Sequence, residues 1–335
     1  MIKPYNSEVL QPLHVQNQTQ RKILLDQAQR IPSIVVSSAA AANAVMLGGG
    51  YFTPLKGYMG LADVLSVSKH MRLTSELFWP TPVVNMVRDD SLTEEIKSAK
   101  KIALRDPNVE GCPVIAVQSV DKIEAITDQQ VGKVVEQVYG TTDSRHPGVE
   151  AFSAAGNTLI SGDIEVLNYS YFETEFPDTF RTAVEIRNEI KQRNWETVIA
   201  FQTRNPMHRA HEELCRMAQK ELNADGILVH MLLGKLKEGD IPADIRNDSI
   251  RKMVELYFPE NTVMVTGYGF DMLYAGPREA LLHAIFRQNA GCSNLIIGRD
   301  HAGVGDYYGA FDAQTIFDSI PEGTLQIEIF RGDHT

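Results

Sequence analysis

The chain has 335 residues, 43% of them hydrophobic and 22% charged, with a formal net charge of −11. That length exceeds one ordinary core and predicts two domains, while the composition is that of a soluble globular protein and excludes disorder and coiled coil. The acidic balance argues against a general nucleic-acid or membrane-surface binder, so an anionic ligand would have to meet a local concentration of positive charge.

Three cysteines, Cys112, Cys215 and Cys292, are odd in number and far apart. They build no disulfide framework and no C-x-x-C metal pair, which predicts a cytoplasmic protein. The amino terminus, MIKPYNSEVLQPL, lacks the apolar core of a signal peptide. Residues 33–52, SIVVSSAAAANAVMLGGGYF, are about as long as a membrane span. Their serines, asparagine and three consecutive glycines predict a small-residue helix running into a turn, and no membrane association.

Residues 1–165 show no regular alternation of strand and helix. Short β-like runs (FWPTPVVNMV, CPVIAVQSV, TLISGDIEVL) and one expected helix, SLTEEIKSAKKI, predict a mixed, β-rich domain. The second domain is taken as 166–335. From about residue 180 apolar runs alternate with helical patterns: TVIAF, a helix to about 222, GILVHMLL, the helix ADIRNDSIRKMVELYF, TVMVTGY, the helix GPREALLHAIFRQNA, NLIIG, the shorter helix AFDAQTIFDSI, and LQIEIF. Five strands that are apolar throughout, with helices between them, predict an α/β domain built on an open parallel sheet. Ligands of such sheets bind outside the carboxyl ends of the strands.

Two polar clusters directly follow strands. In QTRNPMHRAHEEL, Asn205 is a candidate N-cap and Pro206 suits the first helical position. His208 and His211 would then share one face of the first turn. A helix start offers free N–H groups and a partial positive charge to phosphate. Arg204 can fork two donors onto a tetrahedral oxyanion, and Gln202 adds a neutral one. The histidines could also be surface or capping residues; as metal ligands they lack a third partner. The second cluster, GRDHAGVGDYYG, places Gly298, Arg299, Asp300 and His301 after NLII. It is not G-x-G-x-x-G, and Arg299–Asp300 could equally be a structural ion pair. No G-x-x-x-x-G-K-[ST] occurs, which argues against a P-loop enzyme. Lys235, Lys237 and Arg246 in GKLKEGDIPADIR read as a solvated loop or as ligands, and Arg278 in YAGPREALLHA as a packing residue or a ligand.

QTRNPMHRAHEEL and GRDHAGVGDYYG resemble the two signature segments of the ATP sulfurylase (sulfate adenylyltransferase) family. LGGGYFTPLKGYMG, HPGV, GKLKEGDIPADIR and YAGPREALLHA look like further stretches of it, in the family's order, from about residue 45 to the last residue. H-R-A-H also resembles the H-x-G-H element of the wider nucleotidylyltransferase superfamily. The resemblance implies a PUA-like first domain, a Rossmann-like catalytic domain, and the conversion of ATP and sulfate to adenosine 5′-phosphosulfate and pyrophosphate. It implies Mg²⁺ arriving with ATP, no tightly bound protein metal, and a homo-oligomer, a dimer being favoured. By the same resemblance Gln202, Arg204 and the Ala302 N–H would bind sulfate. Thr203 and Asn205, beside Arg204, would line the α-phosphate region, and His208 and His211 would contact the departing phosphates. Gly298, Arg299, Asp300 and His301 would border the nucleotide, whose site Gln202 also edges. The family continues past LQIEIFRGDHT with a small α-helical segment that helps close over the adenine, and this sequence stops before it.

Overall fold

The computed structural model describes residues 1–332. Residues 333–335, which end both LQIEIFRGDHT and the expected second domain, lie outside the described residues. The first sheet contains β1 (Ser33–Val35), β2 (Gly57–Tyr58), β3 (Met86–Val87), β4 (Lys101–Arg105), β5 (Val114–Ser119), β6 (Lys122–Ala125) and β7 (Thr158–Val166). Its order is β1-β4-β5-β7-β2, with β3 and β6 also paired to β7. Only β1 and β4 run parallel.

The first domain departs from expectation in three places. SLTEEIKSAKKI is one short helix, Glu94–Ser98 capped by Thr93, followed by strand β4. Burial of Ile102 and Leu104 in the sheet overrides the helical propensity of the lysines around them. FWPTPVVNMV contributes only Met86–Val87, because Pro80 and Pro82 cannot donate to a ladder. The stretch 33–52 is a strand, then the helix Ser38–Gly48 capped by Ser37, then a turn. No helix of the described residues is long and apolar enough to cross a membrane. The three cysteines are free thiols.

The second sheet holds β8 (Val198–Thr203), β9 (Gly226–Leu232), β10 (Val263–Tyr268), β11 (Asn294–Ile297) and β12 (Glu328–Arg331). Its order is β10-β9-β8-β11-β12, and every pair is parallel. The chain builds outward from β8 through β10 and then returns to the other side of β8. The reversal opens a crevice at the carboxyl ends of β8 and β11, the place where such sheets bind ligands.

One continuous core crosses between the domains. Phe52 stacks on Phe286 at 5.3 Å between ring centroids, and Asn289 donates to the Tyr51 and Thr53 carbonyls at 2.8 and 3.0 Å. Arg278 donates to the carbonyls of Val67, Ser68 and Pro80 at 2.7–3.1 Å. It is therefore a clamp on the first domain. Arg246, fully buried, donates to the Leu232 and Ile241 carbonyls at 2.7 and 2.9 Å and is structural too.

Candidate active site

Residues 202–211 follow the middle strand β8 and residues 298–302 follow its neighbour β11, so adjacency in the sheet brings together segments about a hundred residues apart. Every residue of the two clusters singled out from the sequence lines one cavity of about 470 Å³: Gln202, Thr203, Arg204, Asn205, His208, His211, Gly298, Arg299, Asp300, His301 and Ala302.

The helix starts later than expected. It spans Arg209–Glu221, and His208 rather than Asn205 is its cap. Thr203 Oγ1 accepts the Asn205 N–H at 3.0 Å and donates to the Asn205 carbonyl at 2.7 Å, closing a tight turn directly after the strand. Pro206 disfavours helical backbone angles at Asn205, and residues 206–208 carry no regular structure before the helix begins. The His208 and His211 rings stack at 3.8 Å between centroids, and the His208 N–H donates to His211 Nδ1 at 3.4 Å. Burial, then the neighbouring His208, lowers His211 to about 4. Arg209 turns away: Glu212 holds it at 2.7 Å and it lies 4.2 Å over the Tyr257 ring. Arg204 is thus the cluster's cation at the cavity.

Arg204 Nη2 donates to the Gly303 carbonyl at 2.9 Å, and its guanidinium carbon stands 4.8 Å over the Tyr274 ring. Its Nη1 is buried without a hydrogen-bond partner, and so is Gln202 Nε2. Unpaired buried donors are costly and rare. Both atoms sit behind the cavity surface, the Gln202 amide beside the buried Tyr268 hydroxyl, so an incoming anion must draw them round to face it.

The opposite wall is a strained turn. Asp300 and Ala302 have φ of +54° and +57°, in the left-handed region. The Ala302 carbonyl accepts the Gly276 N–H at 3.0 Å, while the Ala302 N–H meets no protein acceptor among the described residues. Arg299 and Asp300 form an exposed ion pair at 3.1 Å. His301 points inward, its Nε2 2.9 Å from Nδ1 of His283, whose Nε2 lies 3.5 Å from a Glu279 carboxylate oxygen. The Glu279 carboxylate also accepts the Leu273 and Ala275 N–H groups, each at 3.1 Å. Burial pushes Glu279 up to about 7, and holds His283 and His301 well below the usual histidine value. Tyr274, Glu279 and His283 were not singled out individually in the sequence. The available signal was YAGPREALLHA, where Glu279 and His283 stand four apart on one helical face.

The first domain reaches this site. His146, in HPGV, caps the helix Pro147–Ala154 through Nδ1, while its Nε2 lies 3.0 Å from the Tyr274 carbonyl and 3.1 Å from the Tyr308 hydroxyl. Tyr307 donates to Asp143 at 3.0 Å.

A parallel α/β sheet with a polyanion-suited cavity at its strand-order reversal, docked on a β-rich domain, defines a nucleotide-binding α/β protein with a PUA-like partner domain. Family models match accordingly: the PUA-like domain over residues 2–169 and ATP-sulfurylase over residues 177–335. The chain is 66% identical to a sulfate adenylyltransferase of Alcanivorax borkumensis, covering 100% of this chain and 83% of that protein. It is 61% identical to one of Allochromatium vinosum, covering 100% and 84%. Among solved structures it resembles a hexameric APS kinase from Thiobacillus denitrificans, with TM-score 0.73 and 23% identity over 100% of this chain and 57% of that one, a likeness of fold. The chain belongs to the ATP-sulfurylase family.

Proposed function

We propose that the chain catalyses ATP + sulfate ⇌ adenosine 5′-phosphosulfate + pyrophosphate. The observation that carries this is the meeting of Gln202, Arg204, His208, His211 and the Ala302 turn in one cavity at the strand-order reversal. A tetrahedral dianion offers acceptors to Gln202 and Arg204 and takes a third donor from the Ala302 N–H. The sulfate adenylyltransferases of 61–66% identity support the same reaction.

Sulfate is already deprotonated, so no general base is needed. One of its oxygens attacks the α-phosphorus, the bond to the bridging oxygen of pyrophosphate breaks, and the electron pair leaves with pyrophosphate. The residues position two anions against each other and stabilise the charge that develops between them. Gln202, Arg204 and Ala302 hold sulfate. Thr203 and Asn205, with Arg204, face the α-phosphoryl group, while His208, His211 and the helix start face the departing phosphates. Gly298, Arg299, Asp300 and His301 border the nucleotide. ATP would bring Mg²⁺ on its own phosphates, where the ion neutralises charge. Mg²⁺ keeps several waters and needs few protein ligands. Among the described residues no group of three or more His, Cys, Asp or Glu is placed to hold a metal.

We divide the chain into a PUA-like domain, 1–165, and the catalytic domain, 166–335. We place it in the cytoplasm, in keeping with its free thiols, and take it as a homo-oligomer, a dimer, which light scattering checks.

The deciding assay is ATP formation from adenosine 5′-phosphosulfate and pyrophosphate with Mg²⁺, beside Arg204→Ala. ATP from the parent and ~10²–10³ less from the variant is expected. No ATP from the parent would refute the reaction.

A further inference from the structure

Tyr274 joins more of this site than any signature residue does. It is 3% exposed and holds a φ of +58°, a backbone region in which a bulky side chain is a genuine outlier. Such strain persists where the surroundings over-determine it, and it clusters at functional positions. Here five contacts fix it. The ring faces the Arg204 guanidinium at 4.8 Å. The hydroxyl accepts the Lys237 N–H at 2.7 Å and donates to Asp240 at 3.0 Å, and Asp240 holds the Lys237 ammonium at 2.8 Å. The carbonyl lies 3.0 Å from both His146 Nε2 and the Tyr308 hydroxyl.

Core packing accounts for a buried ring. It does not account for a hydroxyl tied into an exposed lysine loop, nor for a ring face given to a cation that lines the cavity. Arg204 has one N–H on Gly303 and another unpaired, so its direction depends on what lies beneath its plane. An aromatic face within about 6 Å attracts a guanidinium and leaves its edge free to donate.

We infer that Tyr274 is a positioning residue for sulfate: its ring holds the Arg204 guanidinium edge-on to the oxyanion pocket, and its hydroxyl latches the loop Lys235–Asp240 to that platform. This rests on the sulfate-binding reading of Arg204. Through the Tyr274 carbonyl, the first domain is joined to the same platform.

The test compares Tyr274→Leu, Tyr274→Phe and Arg204→Ala in the full chain, using initial rates with sulfate and ATP varied in turn, thermal midpoints, and limited trypsin digestion. Tyr274→Leu is expected to raise the sulfate KM about thirtyfold, the size of a desolvated cation–π contact, with the ATP KM little changed. Tyr274→Phe, which keeps the ring, is expected to bring the sulfate KM back to within about twofold of the parent. Having lost the hydroxyl, it should be cut faster after Lys235 or Lys237. A sulfate KM unmoved in Tyr274→Leu while Arg204→Ala loses activity overturns the inference, as does Tyr274→Phe failing to restore it. Unchanged trypsin cleavage in Tyr274→Phe overturns the latch. If Tyr274→Leu does not fold, Tyr274→Met, which keeps most of the bulk without a π face, takes its place under the same criteria. Arg204→Ala with parental rates overturns instead the sulfate reading itself.

Discussion

His301 Nε2 lies 2.9 Å from His283 Nδ1, and this contact ties the left-handed turn beside the cavity to a helix buried from Glu279 to Asn289. Burial first holds both rings well below the usual histidine value, helped by Arg287 and Arg204 at His283, and by His283 and then the same arginines at His301. One nitrogen therefore donates and the other accepts. Glu279, beneath them, is held by two backbone N–H groups of the segment that carries Tyr274. Removing the contact frees the turn that presents His301 and the Ala302 N–H. His283→Ala is expected to lower kcat by on the order of 10–100-fold, since a misplacement of about 1 Å costs that much. His283→Gln, which retains a hydrogen-bonding side chain, should recover part of the loss. Steady-state rates beside thermal midpoints check this: a lowered midpoint with parental kcat would make the contact structural only.

Arg204→Lys separates charge from geometry. Lysine keeps the positive charge but loses the planar fork and its stacking on Tyr274. The donor now 2.9 Å from the Gly303 carbonyl and the unpaired Nη1 cannot both be replaced by one ammonium. Arg204→Lys should therefore resemble Arg204→Ala, with a loss on the order of 10²-fold in kcat/KM for sulfate. Recovery of most of the activity by lysine would mean that net charge, not direction, is what the site needs.

The second sheet was legible in the sequence because its inner strands β8, β9 and β11 are buried along most of their length and so are short apolar runs, while the edge strand β12, Glu328–Arg331, is largely exposed or half-buried. The first was legible only in part: CPVIAVQSV and TLISGDIEVL hold β5 and β7, while its other strands acquire meaning only through their partners. β4 pairs with β5 and β1, and without them Lys101–Arg105 reads as the tail of a helix. The two polar clusters could be picked out since each follows a strand, and the parallel order then brings them to one cavity. The start of the helix at Arg209 was misplaced because the Thr203–Asn205 turn competes with capping. Tyr274 and His283 stayed hidden for a simpler reason: an aromatic or histidine beside apolar residues looks like core until its partners are known.

Gly148 marks where the first domain presses on the site. A Cβ there would stand 2.2 Å from the Leu273 carbonyl oxygen and 2.5 Å from the Tyr139 ring. Backbone cannot yield as a flexible side chain can, so Gly148→Ala must push the helix Pro147–Ala154 away from Leu273 and Tyr274. Overpacking of this kind costs about 1–3 kcal/mol. The variant should unfold at lower denaturant with an unchanged m-value. The sulfate KM should also rise, because His146 moves with its helix. A stability loss with parental sulfate KM would confine the contact to domain docking.

His211 predicts a proton linkage in the free protein and on binding. Its value, about 4 in the folded chain against 6.5 ordinarily, follows from burial and then from His208. Between these values the unfolded chain binds more protons than the folded one, so stability rises with pH there. The contribution of neutral His211 is complete above about pH 6.5 and lost as pH falls toward 4. A polyanion beside the ring reverses the preference, because negative charge favours imidazolium and raises the bound value. ATP should then be bound with proton uptake between about pH 4 and 6.5, and more tightly as pH falls through that window, relative to a variant without the ring. Calorimetry of ATP binding at pH 6 in two buffers of different ionisation enthalpy measures the uptake. Subtracting the same experiment on His211→Gln removes the ligand's own titration. Equal uptake in parent and variant would mean that His211 does not meet the phosphates.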